Sequence, residues 1–370
     1  MKTTLVKSML AATVAAGTAI MANASTQLTA SNGDTLSGTY GDHYYTVANN
    51  ATVTLDGLDI TCGDYDHAVI ECQGNATLIL APGSVNSVFA DHRYGYSPAI
   101  HVPSGYTLTI KGSGALTART YTQDKHAAGI GGWAVDGSDT HPAGNIIISG
   151  GTITAIGGNT GAGIGAAKYA PCGDITITGD AVVTATSGGG AAGIGGADEP
   201  SSVPVSYCGN ITISGTATVT ATGGKWYSAG IGAGGDSRCG NITIANTVTG
   251  VTATRGSYSG VACIGKGMDY NYTSTAGTIT IGSCLDQTYS NDNCTLTLTP
   301  RYTEIDTVEE FNAIANDLTG LYRLTADIDL QNVQRAPFGE FSGILDGNGH
   351  AIRNLNIRRT AVGYGTALFQ

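Results

Sequence analysis

Eight ring-bearing residues, Tyr65, His92, Tyr94, Tyr96, Tyr121, Trp226, Tyr227 and Tyr258, sit in short loops otherwise built from glycine and small polar residues. The loops read CGDYDHA at 62–68, ADHRYGYSPA at 90–99, TYTQDKHAA at 120–128, GGKWYSA at 223–229 and RGSYSGVA at 255–262. Such rings carry an apolar body and a polar tip, a combination suited to stacking on sugar faces. The first three loops also hold Asp64, Asp66, Asp91 and Asp124. Carboxylates gathered this way are the oxygen ligands that Ca²⁺ takes. No spacing among them fixes a coordination shell, so solvated loop charges compete with the calcium reading. Tyrosines that simply cover the edges of the fold compete with the sugar-stacking one.

Other chemistries find less support. GIGAGG at 230–235 fits GxGxxG, but the motif recurs as GIGG elsewhere and opens no helix, so it reads as a bend. Glycoside hydrolysis needs two carboxylates facing each other across a sugar. Asp198 with Glu199, and Asp136 with Asp139, are adjacent in sequence and show no such constraint. There is no HExxH and no Ser-His-Asp order to support a protease. The eight cysteines show no CxxC spacing, which argues against structural zinc. Cofactors therefore reduce to none, or to Ca²⁺.

The loops must be held by a repeat. Ile70, Ile100, Ile130, Ile164, Ile194, Ile231 and Ile264 recur at intervals of 30 to 37 residues, from HAVIEC through AAGIGG to VACIGK. Behind each comes a strand like NITIS and then one like TVTAT, both with apolar residues at every second position. In the second strand Ile175 and Ile177, Ile211 and Ile213, Ile242 and Ile244, and Ile279 and Ile281 share one face. One unit of this size cannot bury enough apolar surface to offset its ordering entropy, whereas stacked units share a core. The predicted fold is all-β: a right-handed parallel β-helix of about seven coils with three short strands per coil. Gly-Asn or Gly-Asp corners precede the second strand, with Asn145, Asp174, Asn210 and Asn241 placed to form a ladder of stacked amides. Cys172, Cys208 and Cys239 fall at one equivalent position, where either a disulfide between rungs or a buried thiol stack is expected. Cys62 with Cys72, and Cys284 with Cys294, are near enough in sequence for local bridges.

Residues 1–24 read as a secretory signal: Lys2 and Lys7 flank a short apolar core, and Ala22-Asn23-Ala24 makes a small-x-small cleavage site. That core is too short to span a bilayer, so no membrane span is expected. With charged residues at 12% and a formal net charge of −11, the chain lacks the basic clusters that nucleic acid or anionic lipid would need. Domains are thus expected at 1–24, 25–299 and 300–370.

After Pro300 the rhythm changes. Thr307 and Glu310 have capping-box spacing, and Phe311, Ile314, Ala315 and Leu318 share a helical face, which predicts one short helix near 307–317. Asp346-Gly347-Asn348-Gly349 predicts a turn between two strands.

The stretches LTADIDL at 324–330, FSGILDGNGHAIRNLNI at 341–357 and GYGTALF at 363–369 resemble the GLUG-motif repeats of bacterial surface proteins. The family continues GLFG and further repeats where this chain reads Gln370, so an incomplete C-terminal β-repeat is expected. The array at 127–282 is similar to Gly-Ile-Gly, Cys-Gly-Asn-Ile-Thr-Ile repeats in secreted proteins of gut-type bacteria. More distantly, the coil layout is similar to β-helix pectin-binding proteins and pectate lyases. These resemblances imply an exported bacterial surface or secreted protein, adhesin-like and non-enzymatic, that binds a polysaccharide or host-surface glycan by its loop edge. The pectate-lyase likeness implies an alternative, a calcium-assisted lyase in which Arg93 or Arg119 abstracts the proton. A structural stalk or spacer is the third reading.

Overall fold

The computed structural model describes residues 25–369 apart from 64–65, 92–95, 122–125, 135–140, 199–205, 271–272, 293 and 359–366. The signal segment 1–24 lies outside the described residues. The isoleucine strands line up as one parallel sheet: Ile70–Cys72, Ile100–His101, Ile130–Gly131, Ile164–Gly165, Ile194–Gly195, Ile231–Gly232 and Ile264–Gly265. Ile70 pairs with Ile100, Ile100 with Ile130, and so on without a register shift. The expected seven coils become nine rungs, because Thr26–Ala30 and His43–Val47 extend the same sheet at its N-terminal end. Those two strands read TQLTA and HYYTV, with no isoleucine-glycine signature to mark them.

The second and third strands of each coil stack in the same manner. Ile175, Ile211 and Ile242 form one column and Val183, Val219 and Val251 another, all essentially inaccessible. Alternate threonines face outward, so the pleat sorts a β-branched sequence into a dry side and a wet side. Both ladders belong to one 17-stranded sheet, since the twelve-residue strand Ala51–Cys62 runs through the corner between them. In the later coils a fourth ladder appears where three strands per coil were expected: Tyr207–Cys208, Arg238–Cys239 and Thr275–Ala276.

Glycine is required on the first sheet. Gly131, Gly165, Gly195 and Gly232 have φ between +131° and +137°. A Cβ at any of them would stand 2.0–2.2 Å from the carbonyl oxygen of the next glycine in the column. No side chain fits that approach.

The corner residues form a ladder of a different kind from stacked amides. The backbone N–H of Asp174 donates to Asn145 Oδ1 at 2.9 Å, that of Asn210 to Asp174 Oδ1 at 2.7 Å, and that of Asn241 to Asn210 Oδ1 at 2.9 Å. Each side chain thus satisfies the next rung's turn, which leaves no bend donor buried unpaired. None of the eight cysteines is disulfide-bonded, contrary to the local bridges considered for Cys62–Cys72 and Cys284–Cys294. Cys172, Cys208 and Cys239 are buried in one stack, each thiol directed at a glycine carbonyl of the rung before it. The neighbouring thiols above and below push the Cys208 thiol well above its ordinary value.

The stack ends in an antiparallel hairpin that the repeat did not predict. Leu285–Tyr289 pairs with Thr295–Pro300, and Thr295–Pro300 lies antiparallel on Gly250–Thr254. Leu296 and Leu298 thereby complete the core over Val251 and Ala253. The second ladder ends at Ile279–Ile281, where Ile279 is 42% exposed instead of packing as Ile175, Ile211 and Ile242 do.

Residues after 300 build a separate core from Ile305, Phe311, Ile314, Leu324, Ile328, Leu330 and Phe338. The helix Val308–Ala313 carries the expected capping box, with Thr307 and Glu310 each bonding the other's backbone N–H. Its buried face is Phe311 and Ile314; Ala315 turns outward because the chain tightens into a 3₁₀ turn at Ile314–Asn316. The strands here also pair in parallel, Leu321 with Ile344, Ile328 with Ile352 and Gln334 with Asn356. Asp346-Gly347-Asn348-Gly349 therefore turns a corner between strands of two different sheets. No described helix is long and apolar enough to cross a membrane.

Candidate functional site

The loop edge between the third ladder and the first sheet divides the expected glycan contacts into three groups. Tyr65, His92 and Tyr94 lie outside the described residues. Tyr96 covers a small satellite core of Ala134, Ala167 and Ala170, with its ring 5.6 Å from that of His126. That is the role of an edge cover. Tyr121 is 40% exposed, three rungs (roughly 14 Å) from the Trp226 loop.

The remaining three come together. The rings of Trp226 and Tyr227 are 6.4 Å apart, and those of Tyr227 and Tyr258 are 4.8 Å apart. Tyr270, which sequence reasoning passed over, joins them at 5.6 Å from Tyr227. Trp226, Tyr258 and Tyr270 are all exposed, around a half-buried Tyr227. An apolar patch of this kind, rimmed by polar groups, is a marker of binding.

The backbone explains why the rings converge. Loop residues stack rung on rung: Trp226 N–H donates to Gly189 O, and Tyr258 N–H to Trp226 O at 3.3 Å. Arg255 Nη1 clamps the upper loop by donating to the Tyr258 and Gly256 carbonyls. Met268 N–H donates to Tyr227 O at 2.8 Å, and Tyr270 N–H to the buried Asp236 carboxylate at 2.6 Å. Asp198 runs beside Tyr227, between Gly190 and Gly235, where any larger residue would collide with its carboxylate. A hydrogen bond with Tyr258, then burial, then the neighbouring negative charges raise the Tyr227 phenol above its ordinary value. Tyr270 escaped notice because it belongs to the loop leading into the fourth ladder, which the three-strand reading of the coil did not contain.

The calcium and lyase candidates are not assembled in the same way. Asp64, Asp124 and Arg93 lie outside the described residues. Asp66 lines a hollow on the first sheet, while Asp91 follows the third-ladder strand Val85–Ala90. Arg119 projects from the third ladder with its guanidinium 3.8 Å from the centroid of the Phe89 ring. Among the described residues no three His, Cys, Asp or Glu side chains form a metal-holding group.

Three successive coils, residues 146–168, 175–198 and 211–235, each match the family model described as Beta helix repeat. No curated protein and no solved structure matches the chain. The matched segments run from the second ladder through the loop edge and the first sheet.

Proposed function

We propose that this parallel β-helix repeat protein is exported and binds glycans, without turnover, through the aromatic cluster on its loop edge. The observation that carries the proposal is the convergence of Trp226, Tyr227, Tyr258 and Tyr270 from three loops, with three of the rings open to solvent. Rigid aromatic side chains offer large contact area at small entropic cost, and their polar tips serve sugar hydroxyls. Asp198 adds an acceptor beside the patch. Export is supported by the composition of residues 1–24, and the surface role by the GLUG-like sequence after 300.

Affinity electrophoresis through gels containing soluble polysaccharides tests the reading. The wild-type protein is retarded by at least one polysaccharide. Joint substitution Trp226→Ala, Tyr227→Ala and Tyr258→Ala abolishes retardation while leaving the thermal melt of the β-helix in place. Free mobility of the wild type across neutral and acidic polysaccharides alike would sink the proposal.

A further inference from the structure

A second feature lies on the first sheet, at the N-terminal end of its outward column. Down that column the residues are Thr46, Glu71, His101 and then Gly131 and its successors. Side chains therefore exist only at its N-terminal end, where Glu71 and His101 line a hollow of about 390 Å³ with Asp66, His67, Gln73, Trp133 and His141. The size is that of a small-molecule pocket.

One wall is built by Trp133 and His141, which pair antiparallel and whose rings stack at 4.5 Å. His101 meets the indole edge-on at 5.8 Å and is 4% exposed. His101 Nδ1 is committed to the carbonyl of Gly131 at 2.9 Å, so it is the protonated nitrogen and Nε2 holds a lone pair. On the other side Glu71 accepts from Gln73 Nε2 at 3.2 Å and pairs with His67 Nδ1 at 3.4 Å, and the His67 ring lies flat on Tyr44 at 3.9 Å. Trp133 Nε1 is buried with no hydrogen-bond partner.

We infer that this hollow is a binding site for a single uncharged sugar residue. Its polar groups are chiefly acceptors: the Nε2 lone pair of His101 and the lone pairs that Glu71 keeps after two contacts. A polyhydroxyl ligand supplies matching O–H donors. Two carboxylates in a chain of net charge −11 repel a uronate or a phosphate. A metal ion is disfavoured because no three ligating side chains converge among the described residues. A flat apolar ligand is disfavoured because the Trp133 face is already covered by His141. The choice of a sugar over another polyol rests on the carbohydrate-binding reading above; the site itself is separate from the aromatic cluster.

The experiment is a titration of imidazole-¹⁵N-labelled full-length protein with galactose, glucose, N-acetylglucosamine and galacturonate, followed through the His101 Nε2 resonance. Saturable movement with at least one uncharged sugar, and none with galacturonate, is expected. His101→Phe weakens the uncharged sugar about tenfold, the loss of one hydrogen bond, read by calorimetry. Glu71→Gln, which keeps shape and removes charge, lets galacturonate bind. The inference is overturned if no uncharged sugar moves the resonance, or if wild-type protein prefers galacturonate. Should His101→Phe not fold, the wild-type titration and Glu71→Gln decide alone. Polysaccharide retardation through the Trp226 cluster would persist under failure here, which keeps the two proposals separable.

Discussion

Burial sets the chemistry of single residues in this protein, and His101 is the clearest case. Desolvation lowers its pKa from 6.5 to about 4, against a partial rescue by the Gly131 carbonyl and with a small added effect from His141. The unfolded chain takes up a proton as pH falls through 6.5, whereas the folded imidazole stays neutral until about 4. Stability is therefore full above pH 6.5 and is lost as pH falls from there to 4, by roughly 3 kcal/mol. Urea unfolding of wild type and His101→Phe at pH 7 and pH 4.5 checks this, since the variant lacks that part of the acid loss. An equal drop in both proteins would assign the acid sensitivity elsewhere. His101 was hidden in the sequence because its partners come from three different coils. Glu71, His101 and Trp133 are each unremarkable in their own segments, and only the register sets them around one hollow.

Strand, corner and loop each answer to a different physical demand. The isoleucine periodicity disclosed the first sheet and the inward columns, because a two-residue period and a constant spacing are visible without contacts. The two N-terminal coils were not readable in that manner: in His43–Val47, Tyr45 takes the isoleucine position and Thr46 the position that glycine takes later. The corners were recognised as bends, but which atom bonds which required the rungs in place. Two substitutions separate the demands. Gly195→Ala puts a methyl group 2.0 Å from the Gly232 oxygen at a φ of +131° and is expected to cost several kcal/mol, roughly 3–5. Asn210→Ala removes the acceptor of the Asn241 N–H and an exposed hydrogen bond from Asn210 Nδ2 to Asp174 Oδ1, and should cost about 1 kcal/mol. Chemical denaturation of both variants gives the ranking, and a smaller loss for Gly195→Ala than for Asn210→Ala would contradict the close-approach argument.

At the scale of the whole molecule, a stack of parallel strands needs an ending. The hairpin Leu285–Tyr289 with Thr295–Pro300 supplies one, by reversing direction over the last third-ladder strand. No periodicity announces a structure that occurs once, which is why it was missed. Replacing 285–300 with a short glycine-serine linker should uncover the Gly250–Thr254 edge and increase self-association relative to the intact protein. Light scattering at increasing concentration reads the outcome; a linker variant that associates no more than the intact protein would show that the hairpin is not the guard of that edge. The change of rhythm after Pro300 was apparent in the sequence, and Phe311 and Ile314 were readable as core, but the parallel pairing of 321–324 with 344–346 was not.

The corner ladder makes the coils interchangeable. Asp174 and Asn210 occupy equivalent positions, each receiving the rung below and serving the rung above. Excision of 174–209 would hand the Asn210 N–H to Asn145 and set Ile211 on Ile146, with every column still in phase. Such a chain would be shorter by one rung, about 4.8 Å, and would set the Trp226 loop on Gly158 and its neighbours in place of Gly189, without Asp198 beside Tyr227. Gene duplication and loss can thus act on this protein as a vernier, altering the reach between its two decorated ends.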